Sequence, residues 1–189
     1  EQFYATNDHH YSSGIMHVLE NYLTLPISNV MYFDGEGYKQ VASGMSFANG
    51  INVSANGKQL YLASLTSLKV YIYQRDLSSN ELSLLKKINT QTGVDNIELD
   101  ENGDLWIGAH PQLLKLASYA KDSQARSPSQ VLKIKVSDGS FDVESVYLNN
   151  GDPIAGSSVA AVKGNRMLIG SVFDNKILDC TFDNNGKKQ

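Results

Sequence analysis

The chain has 189 residues and a formal net charge of −4; 41% of its residues are hydrophobic, 19% are charged, and one is cysteine. These values suit one folded domain, or part of a larger one, and exclude both a disordered chain and a basic nucleic-acid-binding surface. No apolar run approaches the roughly 18 residues that a spanning helix requires, and neither a basic n-region nor an apolar h-region opens the chain.

The first predicted element is a short strand, Phe3-Tyr4-Ala5-Thr6, followed directly by two oxygen-bearing residues, Asn7 and Asp8. Next, Ile15, Val18, Leu19, Tyr22 and Leu23 recur at helical spacing, with Ser12 or Ser13 as N-cap and Pro26 as the stop. This inserted helix either caps one face of the fold or acts as a lid or docking element that shapes substrate or membrane access.

Three later segments repeat one order: a polar or small pair, an apolar strand, a turn, a second strand, then a third. They begin at Ala48, Val94 and Gly156, and their turns are Asn56-Gly57, Asn102-Gly103 and Gly164-Asn165. Asn-Gly between apolar runs is a strong hairpin signal. The second strands read Leu60-Tyr61-Leu62-Ala63, Leu105-Trp106-Ile107-Gly108 and Met167-Leu168-Ile169-Gly170. In the middle segment, 94–119, the third strand is expected to follow His110. An outer strand is expected over 81–88, and a polar loop around "AKDSQARSPSQ" lengthens the second interval. Short antiparallel strands repeated at this spacing are the signature of β-propeller blades, with a plain β-sandwich as the competing fold.

Phe3-Tyr4-Ala5-Thr6 aligns with the second strands of the repeats. The chain is therefore expected to begin inside a blade and to hold roughly three and a half blades over residues 1–182, with a polar tail at 183–189. Unpaired sheet edges would then invite another chain segment.

The first residues of an innermost strand point to one end of a propeller's central tunnel. Asn49, Asp95 and Asn96 hold such positions, and Asn7 and Asp8 end a second strand near the same face. Mixed amide and carboxylate oxygens suit Ca²⁺. Zinc would require His or Cys at close spacing, which the four histidines do not provide. A turn or strand-end role is the alternative for each residue alone. Asp100 and Asp104, in "DENGD", are assigned to that structural role, since the loop lacks the length and closing Glu of an EF-hand. His110 aligns with Asp8 and is a candidate for the active-site wall. Asn52 opens an N-V-S sequon inside an inner strand and is expected to be buried and unmodified. Cys180 is either a buried, inert thiol or half of a disulfide whose partner lies outside this chain. There is no G-x-S-x-G elbow and no glycine-rich phosphate loop, so a hydrolase built on this chain would depend on its metal.

The motifs "FYATNDH", "FANGINVS", "VDNIELD", "GDLWIGAHP" and "GSSVAAV…MLIGSVFDNKILDC", in this order from Phe3 to Cys180, resemble the paraoxonase/arylesterase family. The resemblance implies a six-bladed all-β propeller, of which this chain is the C-terminal portion, with two calcium ions per complete propeller. It implies that Asn7, Asn49, Asp95 and Asn96 bind the catalytic calcium, that Asp8 binds the structural one, and that His110 lies at the active-site wall. Cys180 matches the cysteine that closes the family's ring by a disulfide to its N-terminal region. The inserted helix matches one near the family's active-site rim.

The implied activity is calcium-dependent hydrolysis of lactones and aryl esters, extending to organophosphate triesters. The implied setting is secreted or periplasmic, with peripheral membrane or lipid association. The family's Glu-Asp pair and two water-activating histidines are absent here and would come from the missing N-terminal half of the propeller. The competing reading is a non-catalytic propeller that acts as a chaperone or interaction module.

Overall fold

The computed structural model describes residues 1–137 and 139–182, without the side chain of Asn21; the 183–189 tail lies outside the described residues. The chain forms two compact units, one spanning Glu1–Thr90 and the other starting at Gln91.

In the first unit, β1 (Phe3–Asn7), β2 (Ser28–Phe33) and β3 (Tyr38–Met45) form a three-stranded antiparallel sheet in the order β1-β2-β3. Then β4 (Ala48–Val53), β5 (Gln59–Ser64), β6 (Lys69–Arg75) and β7 (Leu82–Asn89) follow in simple meander order. Strict alternation along β2, buried at Ser28, Val30 and Tyr32, gives its sheet one inward face. That face meets Met45, Leu60, Leu62, Tyr71 and Tyr73 in the core.

The helix α1 (Gly14–Tyr22) is present where the periodicity places it. Its apolar stripe faces outward: Ile15, Val18, Leu19, Tyr22 and Leu23 are all exposed. What ties the helix down is polar. Glu20 is buried, and its carboxylate accepts the backbone N–H groups of His10 and Tyr11 at 2.8 and 3.0 Å.

In the second unit, β8 (Gly93–Leu99), β9 (Leu105–His110), β10 (Gln130–Ser137) and β11 (Ser140–Leu148) form one antiparallel sheet. Three more strands, β12 (Ser157–Lys163), β13 (Arg166–Ser171) and β14 (Ile177–Thr181), form the next. The described residues hold two four-stranded and two three-stranded sheets, the strand complement of about three and a half blades, and the fold class is the all-β propeller expected.

One expected strand is replaced. The segment after His110 is a short helix, α2 (Leu113–Tyr119), and the third strand of that sheet is β10, beyond the polar loop. Leu, Lys and Ala in "LLKLASY" favour a helix over a strand.

The close packing of this unit depends on Gly108 in β9. A Cβ there would lie 2.3 Å from the carbonyl carbon and oxygen of Ser158, so only glycine fits. Gly103 turns the β8–β9 hairpin at φ +82°, in the left-handed region. The Cys180 side chain is buried among Trp106, Tyr147, Met167 and Ile169. The expected disulfide finds no support in a chain with one cysteine.

Candidate metal and active site

The inner strands share an irregularity. The β4–β5 register shifts between Ala48 and Ile51, which places Asn49 in a bulge. The β8–β9 register shifts between Val94 and Ile97, at Asp95 and Asn96. The β12–β13 register shifts between Ser157 and Val159, at Ser158. A bulge inserts an unpaired residue and re-aims its side chain, a device common beside active sites. Each candidate ligand on an inner strand therefore sits where the ladder is deliberately broken.

In the first unit, Asn7 ends β1 and is exposed. Asp8 follows it, half of its side chain open to solvent, with Oδ2 3.1 Å from Nδ1 of His9. The His9 ring in turn lies 4.3 Å, centroid to centroid, from His17 of α1 and 4.7 Å from Phe47. Helical spacing did not reveal this His-His-Phe cluster, because its members come from a loop, a helix and a strand junction.

Asn29 pairs with Asn7 across β1 and β2. Cross-strand partners share a face, as the Phe3–Phe33 ring contact on the same two strands illustrates. The Oδ1 of Asn29 is buried with no hydrogen-bond partner among the described residues. An orphaned amide oxygen of this kind is costly unless a donor or cation satisfies it.

In the second unit, Asp95 and His110 form a buried pair, with Nε2 of His110 3.2 Å from Oδ2 of Asp95. A carboxylate oxygen only accepts, so in this contact Nε2–H is the donor. Nδ1 is buried and has no partner among the described residues. The carboxamide nitrogen of Asn96 donates to Asp95 Oδ1 at 3.2 Å and to Ser158 Oγ at 2.9 Å. With its nitrogen anchored on both sides, the Asn96 amide is held in one orientation, and its oxygen is the atom left to accept a cation or donor. Ser158 was missed in sequence because a serine at a strand start carries no ligand signature; only its bulge equivalence with Asn49 and Asn96 marks it.

The oxygen donors within each unit fit a hard cation in chemistry. No group of three His, Cys, Asp or Glu side chains gathers for a metal among the described residues, so any ion here would rely on amide oxygens. The "DENGD" loop holds a built-in cation instead: Nζ of Lys133 lies 2.9 Å from Asp104 and 3.6 Å from Asp100. Asp100 also accepts Nε1–H of Trp106 at 2.9 Å. Burial raises the Asp100 pKa, but these bonds outweigh it and leave the group below the usual carboxylate range. Asn52 is half-buried rather than fully buried, and its Oδ1 accepts the N–H of Val53.

The sequence model of the Arylesterase family matches residues 1–182. Human serum paraoxonase/arylesterase 1 is 41% identical over 182 residues, covering 95% of this chain and 50% of that protein. The chain thus spans about half the length of the curated relatives it matches. Among solved structures, the periplasmic gluconolactonase of Pseudomonas aeruginosa aligns at a TM-score of 0.56 with 14% identity, over 85% of this chain and 46% of that one. A calcium-binding protein, regucalcin, from Agrobacterium tumefaciens aligns at 0.50 with 13% identity, over 80% of this chain and 48% of that one. These two likenesses show the fold.

Proposed function

The chain belongs to the arylesterase family, and from that premise we propose that the whole protein is a calcium-dependent hydrolase of lactones and aryl esters, with organophosphate triesters as further substrates. The family supports an ester hydrolase. The observation that carries the calcium reading is the set of bulges that re-aim Asn49, Asp95 and Asn96. In this reading Asn7, Asn49, Asp95 and Asn96 hold the catalytic calcium, and Asp8 holds a second, structural ion. Bound calcium supplies positive charge that polarises a carbonyl or phosphoryl oxygen.

The chain's own residues prepare the site. Ser158 and Asp95 anchor the Asn96 nitrogen and so orient its oxygen. Asp95 holds the His110 ring in place through Nε2. The exposed apolar stripe of α1 supports a role in substrate or lipid-surface access. A secreted or periplasmic setting accords with the serum and periplasmic proteins that this chain resembles.

The test is hydrolysis of phenyl acetate and a δ-lactone by the intact protein, with calcium and after chelation, in parallel with thermal unfolding. Chelation is expected to abolish turnover and lower the unfolding midpoint. Full turnover in excess chelator would overturn the calcium reading, and absence of turnover with calcium present would overturn the hydrolase reading.

A further inference from the structure

Within the Glu1–Thr90 unit a cavity of about 360 Å³ opens beside the start of β1 and the end of β4. None of the candidate calcium ligands lines it. Its volume falls in the range of small-molecule sites, roughly 300–1,000 Å³. Phe3, Ile51, Val53 and the Tyr32 ring give it apolar surface, and Arg75 is the charged group among its polar lining residues, which include Gln2 and Asn52.

Arg75 is a half-buried cation with no carboxylate at ion-pair distance among the described residues. Its Nε–H is shared between Tyr4 Oη at 3.0 Å and Asn80 Oδ1 at 3.1 Å. One Nη1 N–H goes to the Gly57 carbonyl at 3.1 Å, and one Nη2 N–H goes to Asn80 Oδ1. All these acceptors are neutral. A guanidinium has five N–H groups, so one remains on each terminal nitrogen. These are the atoms that engage a carboxylate in bidentate form.

The acids nearest in sequence are occupied elsewhere. Asp76 accepts the N–H groups of Ser78 and Ser79 in its own turn, and Glu81 takes Lys39. The ring of Tyr32, 5% exposed, lines the same cavity, while its hydroxyl is buried, with no partner among the described residues. A guanidinium without a counter-charge, beside the apolar surface of Phe3, Ile51 and Val53 in one cavity of mixed lining, suits an anionic acceptor with an apolar body.

We propose that this cavity binds a small organic carboxylate, its carboxyl group on Arg75 and its body against Phe3, Ile51 and Val53. The site is separate from the candidate calcium ligands and does not depend on the hydrolase reading.

The test follows nuclear magnetic resonance shifts of the intact, isotopically labelled protein during titration with benzoate. Inorganic phosphate and benzyl alcohol serve as comparison probes, and the variants are Arg75→Gln and Arg75→Lys. Benzoate is expected to saturate and to shift Phe3, Ile51, Val53 and the Arg75 Nε–H. Arg75→Gln is expected to weaken it at least about tenfold, as loss of a bidentate charged contact does. Phosphate, without an apolar body, and benzyl alcohol, without a charge, are expected to bind at least about tenfold more weakly than benzoate.

The shift map in the unmodified protein needs no variant to fold. An absence of saturable shifts at those residues would overturn the proposal. So would benzoate affinity unchanged in both Arg75 variants, or phosphate binding as tightly as benzoate.

Discussion

Nε2 of His110 lies 3.2 Å from Oδ2 of Asp95, and their side chains are 1% and 9% exposed. A carboxylate so buried depends on its partner. His110→Ala removes the one ring that faces Oδ2 and leaves the charge in a low-dielectric site. The expected cost is about 1.5–3 kcal/mol, the range for losing a hydrogen bond to a charged group. Urea unfolding measures it. Asp95→Asn with His110→Gln should cost less than the two single changes together, because the pair is then replaced by neutral hydrogen-bonding groups. Strict additivity would mean that the two side chains do not interact in solution.

Gly108→Ala tests the close approach of β9 to β12. Its Cβ would meet the Ser158 backbone at 2.3 Å, and a backbone carbonyl cannot rotate away as a flexible side chain can. The expected destabilisation is at the upper end of the roughly 1–3 kcal/mol of overpacking, or beyond it. The urea midpoint should fall without a change in slope. A midpoint equal to that of the unmodified protein would show that the strands are further apart than 2.3 Å implies.

Ser158→Ala removes the hydroxyl that takes the Asn96 amide at 2.9 Å while leaving the fold nearly untouched. In the calcium reading this loosens the Asn96 amide, whose nitrogen keeps only its longer bonds to Asp95 Oδ1 and the Ser158 carbonyl. Loss of such a supporting contact typically costs about 10–100-fold in metal affinity. The measurement is the calcium dependence of the unfolding midpoint, which reads affinity without reference to turnover. An unshifted calcium dependence would remove Asn96, or its orientation, from the ligand set.

The blades were legible in the sequence because their signals are local. Asn56-Gly57 and Asn102-Gly103 each close a hairpin between apolar runs, and pattern alone places such turns. Helix α2 is not legible as a helix, since the strand repeat on either side of it predicts a third strand after His110 and seven residues are too few to show a helical period. The exposure of the α1 stripe was hidden too, because periodicity shows that a helix has an apolar face and not what meets it. At the site, oxygen-bearing residue types were visible at Asn49, Asp95 and Asn96. Their bulges, the Ser158 anchor and the orphaned Asn29 oxygen were not, because register shifts and cross-strand partners are properties of pairing that no single strand encodes.

Asp174 links the β13–β14 turn to the long loops of its unit. Its carboxylate accepts the Tyr119 hydroxyl, the Ala155 N–H at 3.1 Å and Nη2 of Arg126 at 3.1 Å. Burial raises its pKa, but these bonds outweigh it and hold the group below the usual carboxylate value. A group whose folded pKa is depressed contributes stability that is full above its unfolded value, near about 3.9. That stability is lost as pH falls through the folded value.

Asp174→Asn keeps the shape but loses the charge, and should cost about 1–3 kcal/mol at pH 7, as the removal of charge-assisted bonds does. The gap between the variant and the unmodified protein should close as pH drops below the depressed pKa, because the carboxyl of the unmodified protein is then neutral as well. Urea unfolding at neutral and strongly acidic pH compares the two. A gap of equal size at both would place the contribution of Asp174 in packing rather than in its charge.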